Sequence, residues 1–260
     1  VEACFFPAPE QWREHDWSPA KTDLLLRSLE HLAQDLARLG IPLHIRTLAR
    51  FDDTDEALLA LCNESGAHSV HCNEEYAVNE RNRDKRLKKR LDQAGIGLNI
   101  YPDQTLVPVR ALKTGGGTPY TVFTPYSRQW WQWLDNNPPR LFPRPSPVSS
   151  PQAPNPIPEL QEWRSPVAGW LQAGETGAHN QLEAFLSERI DHYRDQRDFP
   201  ANPATSIISP YLALGILSPR QCVVQGLDAI QQSRHPEQGR SWMNEIAWRD
   251  FYIQLMVHFP

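Results

Sequence analysis

The sequence predicts an α/β domain followed by an all-helical one. Three observations carry this. Strand-like and helix-like stretches alternate from residue 1 to about residue 101. Ten of the 24 prolines crowd into residues 138–166. Beyond them every apolar pattern has helical spacing. Alternating strands and helices imply a parallel sheet with helices covering it.

The elements follow in order. Val1 to Phe6 is a short apolar run that reads as a strand. Ser18 and Pro19 are a good N-cap and N1 pair. They open a helix with Leu24, Leu25, Leu29, Leu32, Ala33 and Leu36 on one side, and Gly40 closes it. Leu43 to Leu48 is strand-like. Thr54 or Asp55 caps a second helix through Leu58, Leu59, Leu61 and Cys62, which stops near Gly66. His68 to Cys72 is a strand, Asn79 to Ala94 a charged helix, and Leu98 to Tyr101 a further strand. The basic side chains of that helix read first as a solvated face. Thr114-Gly-Gly-Gly-Thr118 has no helix after it and is a flexible turn, not a phosphate loop.

Trp130, Trp131 and Trp133 belong to a short aromatic helix. The prolines of residues 138–166 exclude a regular helix or a central strand there, so a surface-running linker is expected. His179 to Gln196 reads as one helix. Ser209-Pro210 and Ser218-Pro219 are two more N-cap and N1 pairs, and the last helix spans about Gly239 to His258.

Composition narrows the function classes. A chain of 260 residues with 40% hydrophobic content holds one large domain or two modest ones. Its net charge of -5 gives no global basic signal for nucleic acid. Cys4, Cys62, Cys72 and Cys222 have no C-x-x-C spacing, and no histidine cluster has zinc-like spacing, so no metal is expected. Free thiols suit a reducing cytosol, and a cytoplasmic protein is expected. No apolar run is long enough to span a bilayer. Both ends read as cut from a longer protein.

The chemistry concentrates in Ser241 to Tyr252. On a helical wheel Trp242, Asn244, Glu245, Trp248, Arg249 and Tyr252 fall within about 160°. Indoles, a phenol, a carboxyl, an amide and a guanidinium on one side suit a flat, polar ligand such as a nucleobase or a flavin ring. The plainer reading is an i,i+4 ion pair of Glu245 with Arg249 beside core tryptophans. Upstream, the hydroxyls of Thr205, Ser206 and Ser209 feed a helix N-terminus, where free N–H groups can cradle phosphate. Ser209 as a simple cap is the plainer alternative there. Tyr193 and Arg197, spaced i,i+4, point the same way.

Four motifs now stand in order: Tyr193-Arg-Asp-Gln-Arg-Asp-Phe-Pro200, Thr205-Ser-x-x-Ser209, Leu217-Ser-Pro-Arg-Gln-Cys222, and Trp242-Met-Asn-Glu-Ile-Ala-Trp-Arg-Asp-Phe-Tyr252. They closely resemble the flavin domain of DNA photolyases in the photolyase/cryptochrome family. Val78-Asn-Glu-Arg-Asn-Arg-Asp84 and Val122-Phe-Thr-Pro-Tyr126 look like the antenna domain of the bacterial, folate-using cyclobutane-dimer photolyases. The resemblance covers essentially the whole chain.

The resemblance implies a Rossmann-like antenna domain at 1–137 without its first strand, a proline-rich linker at 138–175, and at 176–260 a helical FAD-binding domain without its C-terminal half. It implies that Tyr193 and the loop Thr205, Ser206, Ile207, Ile208 and Ser209 bind FAD, the loop taking the diphosphate. Trp242, Glu245 and Arg249 would line the flavin or the cavity beside it. Asn79 and Glu80 would hold an antenna, 5,10-methenyltetrahydrofolate. Arg197, Asn244, Glu245, Trp248, Arg249 and Tyr252 would meet DNA.

Glu245 and Trp248 would be catalytic, the indole stacking on a flipped lesion and the carboxyl hydrogen-bonding to it, protonated through burial among aromatics. The implied activity is light-driven repair of pyrimidine dimers by a monomer acting on DNA. The rivals are a cryptochrome-type blue-light sensor without repair and a degenerate fragment that acts only as a fold. The family's tryptophan chain, its asparagine near the flavin and several acidic FAD contacts have no match in this chain, so weak FAD binding, or none, is expected.

Overall fold

The computed structural model describes residues 1–260, with Ala168 described in its backbone only. In chain order the elements are β1 (Ala3–Phe5), α1 (Pro9–Glu14), α2 (Pro19–Arg38), β2 (Leu43–Ile45), α3 (Thr54–Ser65), β3 (Ser69–Asn73), α4 (Val78–Gln93), β4 (Gly97–Tyr101), α5 (Phe123–Asn136), α6 (Gly174–Glu188), α7 (Tyr193–Gln196), α8 (Ser209–Ala213), α9 (Pro219–Gln232) and α10 (Pro236–His258). They divide into two compact units. The first comprises residues 1–72, 79–99 and 143–178, and the second residues 73–78, 100–142 and 179–260.

In the first unit the expected strand and helix alternation is present, but the strands form two separate pairs. β1 lies parallel to β2, with Ala3, Cys4 and Phe5 opposite Leu43, His44 and Ile45. β3 pairs with β4. No backbone ladder joins the pairs among the described residues. Side chains do that work: Leu58, Leu61 and Cys62 of α3 and Leu87 and Leu91 of α4 form one cluster, with Phe6, Val70 and Leu98 packed against it. Non-directional apolar burial is enough to hold such pairs over a common core.

Ser18 caps α2 through its side chain, as its place before Pro19 requires. At the other end of α2, Gly40 is left-handed, and a Cβ there would meet Ser149. The chain passes so close because the proline-rich segment docks on this helix end. Val148 N–H donates to Leu39 O (2.9 Å), Gln152 N–H to Ala37 O (3.0 Å), and the Ser149 hydroxyl to Gly40 O (2.9 Å). Carbonyls that a helix C-terminus leaves without partners are thereby satisfied. The prolines make the strap extended; its remaining N–H groups tie it down.

The second unit is helical around α10. Met243, Ile246, Ala247 and Phe251 of α10 are buried together with Cys222 and Val223 of α9. The expected single helix over 179–196 is broken: α6 ends at Glu188, Ile190–His192 form a 3-10 turn, and α7 begins at Tyr193. Ile190 turns into the core, and buried Gln238 of α10 makes the new helix start possible. Its Oε1 accepts from Arg194 N (2.7 Å) and its Nε2 donates to Asp195 Oδ2 (2.7 Å).

Ser218 caps α9 in a reciprocal box with Gln221. Ser209 does not cap α8: Ile208 holds that position and no side chain caps the end. A Cβ on Gly226 of α9 would sit 2.7 Å from the Trp242 ring and 2.9 Å from Met243 Sδ. Gly226→Ala is therefore expected to lower stability by about 1–3 kcal/mol, read from the urea midpoint, because the added methyl overpacks a full core.

Candidate nucleotide and flavin site

α10 has two faces with different tasks. Trp242, Met243, Ile246, Ala247, Asp250 and Phe251 are buried, whereas Asn244, Glu245 and Trp248 are half-buried and Tyr252 is 61% exposed. The wheel places Trp242 with the outer group, but packing draws it inward. Its ring lies 5.2 Å from that of Phe185, and its indole N–H donates to Ser206 Oγ at 3.2 Å.

Ser206 is thus an inward anchor of the 205–209 loop. Gln181 Nε2 holds the same residue through its carbonyl at 2.9 Å. Ile207 beside it has φ +53°, a region that costs a β-branched residue on the order of 1–3 kcal/mol. The anchored neighbours hold it there. Ile208 is buried, and the hydroxyls of Thr205 and Ser209 stand exposed. α8 has only five residues, so this loop offers hydroxyls and backbone N–H groups more than a helix dipole.

Glu245 faces Arg197. Its Oε1 accepts from Arg197 Nη1 at 2.5 Å, with both side chains more than a third exposed. The i,i+4 pairing of Glu245 with Arg249 does not form, and the burial expected for Glu245 is absent. Arg197 also lies 5.7 Å from the Tyr193 ring centroid. Burial pushes the Tyr193 phenol up, the Glu245 charge adds to this, and the Arg197 hydrogen bond opposes it.

Arg249 turns away from this group. Its guanidinium donates to the backbone carbonyls of Gln104 and Leu212. Burial pushes it below the usual arginine value, against the charge of Asp250. In this unit the half-buried Arg249 ties loop to helix and makes no pair with Glu245.

Trp248 sits in an aromatic stack. Phe123 of α5 lies over it with centroids 3.5 Å apart and planes 9° apart, and Tyr252 stacks at 5.4 Å. The indole face expected for a base is therefore occupied by the chain's own phenyl ring. One turn back, Asn244 Oδ1 accepts from the Trp131 indole N–H at 2.9 Å.

Asp250, with no individual role in the sequence reading, is a buried carboxylate that gathers three donors. It is 1% exposed, and its Oδ2 accepts from Leu106 N (3.0 Å), Val107 N (3.1 Å) and Trp130 Nε1 (2.9 Å). Burial pushes its carboxyl up to about 6, against these hydrogen bonds and the Arg249 charge. The available signal was its spacing: Asp250 continues the buried series Met243, Ile246 and Ala247.

In the first unit, Asn79 Nδ2 and His15 Nε2 are 3.0 Å apart, and Gln11 reaches the same ring nitrogen at 2.5 Å. Lys21 Nζ lies 3.3 Å from the Trp17 ring centroid. Burial pushes Lys21 below its usual value, while the Glu80 charge opposes that. Asn79 and Glu80 thus stand among His15, Trp17 and Lys21, a polar and aromatic group that the sequence reading missed because the link between α1 and α2, with the first turn of α2, supplies it. No cluster of metal ligands occurs among the described residues, and no helix there is long and apolar enough to cross a membrane.

The chain is similar in sequence and fold to known proteins. The family model described as DNA photolyase matches residues 1–147. The deoxyribodipyrimidine photo-lyases of Vibrio cholerae and Escherichia coli are each 33% identical over all of this chain, which covers 56% and 55% of their lengths. A class III photolyase structure from Agrobacterium tumefaciens superposes with a TM-score of 0.81 at 27% identity, over 100% of this chain and 54% of that one. The chain spans about half the length of the curated relatives it matches. An α/β unit followed by a helical one, motifs in order from Val78 to Tyr252, and a family match over more than half of its residues establish that the chain belongs to the DNA photolyase family.

Proposed function

We propose that this chain serves light-driven repair of cyclobutane pyrimidine dimers in DNA, as part of a cytoplasmic, monomeric flavoprotein. The observation that carries the reading is the outer side of α10. Trp248, its plane covered by the Phe123 ring, lies one turn from Glu245, which Arg197 holds by an ion pair. Such a pair of groups suits a base that has left its stack, since a flipped base needs a flat partner and a hydrogen-bonding edge. Tyr252, exposed beside Trp248, extends the platform.

FAD fits the residues of the second unit in part. Exposed Thr205 and Ser209 and the strained backbone at Ile207 suit a diphosphate, with Tyr193 nearby in sequence as a ring contact. Ser206 and Trp242 act behind them by pinning the loop, and Ile208 by packing under it. The chemistry that a bound reduced flavin supplies is donation of one electron under light and its return. Arg249 is committed to backbone carbonyls and contributes by fixing α10. Asn79 and Glu80, with His15 beside Asn79, suit the heterocycle and amide of a folate antenna.

Phe123 keeps the Trp248 plane covered until a base replaces it. Release of Glu245 from Arg197 then frees its carboxyl for the lesion. The test is photorepair of a dimer-containing oligonucleotide by the full reading frame with reduced flavin, beside Glu245→Ala. Repair in light that falls by about 10–100-fold in the variant is expected, from about 1.5–3 kcal/mol for one hydrogen bond to a charged group. Absence of repair by the unaltered protein overturns the reading and leaves light sensing as the alternative.

A further inference from the structure

We propose that Trp131, Arg240 and Asn244 form a second nucleotide subsite, which takes the phosphodiester and base flanking the one at Trp248; it rests on the reading of Trp248 given above. Arg240 is exposed, and its guanidinium carbon lies 4.4 Å from the centroid of the half-buried Trp131 ring. Among the described residues Arg240 makes no ion pair, whereas Arg197 on the same side of the unit is matched by Glu245. The Trp131 ring is held in one orientation because its N–H donates to Asn244 Oδ1 at 2.9 Å. The amide donors of Asn244 have no partner among the described residues.

The placement is regular. Arg240, Asn244, Trp248 and Tyr252 repeat at four-residue intervals along α10, and α5 sets Phe123 and Trp131 against them. Two helical turns separate Arg240 from Trp248, about 12 Å of axis. A strand whose base has left the stack is extended, and its flanking nucleotide spans that distance. An unmatched guanidinium over an indole presents a charge for phosphate, and its shift toward a phosphate uncovers the indole plane for a base; charge and plane together are how single strands are held.

The experiment uses the whole chain and two probes. One is a nine-nucleotide single strand with a central thymine dimer, the other the thymine-dimer dinucleotide without flanks. Arg240→Gln is expected to weaken the nine-nucleotide probe by about 3–10-fold and to lower its salt slope by about 0.7. The dinucleotide is expected to bind as before. Trp131→Leu checks the stacking half of the subsite, with a thermal melt to confirm folding. Trp248→Ala should weaken both probes.

Unchanged affinity and slope in Arg240→Gln, with Trp248→Ala still weakening both probes, overturns the subsite and leaves the proposed function standing. Indifference of the dinucleotide to Trp248→Ala, or no binding of either probe, overturns the reading of Trp248 and the subsite with it.

Discussion

Replacing Asp250 with alanine is expected to lower the stability of the helical unit by about 3–5 kcal/mol at pH 7. The loss comes from the donors left behind. Two backbone N–H groups, of Leu106 and Val107, and the Trp130 indole all give to one carboxylate oxygen in a site closed to water. Each buried donor without a partner costs about 1–3 kcal/mol, and partial relaxation keeps the sum below three full penalties. Urea melts followed through tryptophan fluorescence check this. A loss under about 1 kcal/mol would show that water or another acceptor reaches the site.

The same residue gives a pH signature. Its folded value of about 6 lies above the ordinary aspartate value of about 3.9. The folded state therefore holds this proton more tightly than the unfolded chain does. The contribution is fully present below about pH 4 and is lost as the pH rises through about 6. Two pH units correspond to about 3 kcal/mol. Asp250→Asn cannot titrate. The stability of the native chain relative to Asp250→Asn is expected to fall by about that amount between pH 4 and pH 7. A flat difference would mean that the hydrogen bonds to Oδ2 and the Arg249 charge balance the effect of burial.

Trp248→Ala is expected to weaken binding of a dimer-containing oligonucleotide by about 5–150-fold, from a stacking contribution of about 1–3 kcal/mol per base. Phe123→Ala should act in the opposite direction. At 3.5 Å and 9°, Phe123 occupies the face that a base would use, so binding has to displace it. Removing that ring removes an internal competitor, and several-fold tighter binding follows from the avoided cost. Fluorescence anisotropy with a labelled single strand measures both. Weaker binding in Phe123→Ala would make the phenyl ring a wall of the site rather than its occupant.

How far the site was legible can be read residue by residue. Tyr193, Arg197 and Glu245 lie within one motif set, and the structure draws them together as ring, guanidinium and carboxylate. Trp242 and Arg249 share a helical side with Glu245 in the sequence, yet one packs into the core and the other bonds to distant carbonyls. Helical spacing tells which residues share a direction. It does not tell where along the wheel neighbouring elements end and the open surface begins.

The sequence by itself determined the family, the two classes of architecture and most element positions. Apolar period, serine caps before proline, and terminal glycines are local signals written in adjacent residues. Only the tertiary structure decided which partner each side chain keeps: Phe123 over Trp248, Arg197 on Glu245, three donors on Asp250, and the proline strap on the end of α2. These contacts join residues more than 45 positions apart. Their geometry follows from how helices pack, and no local pattern in the chain encodes it.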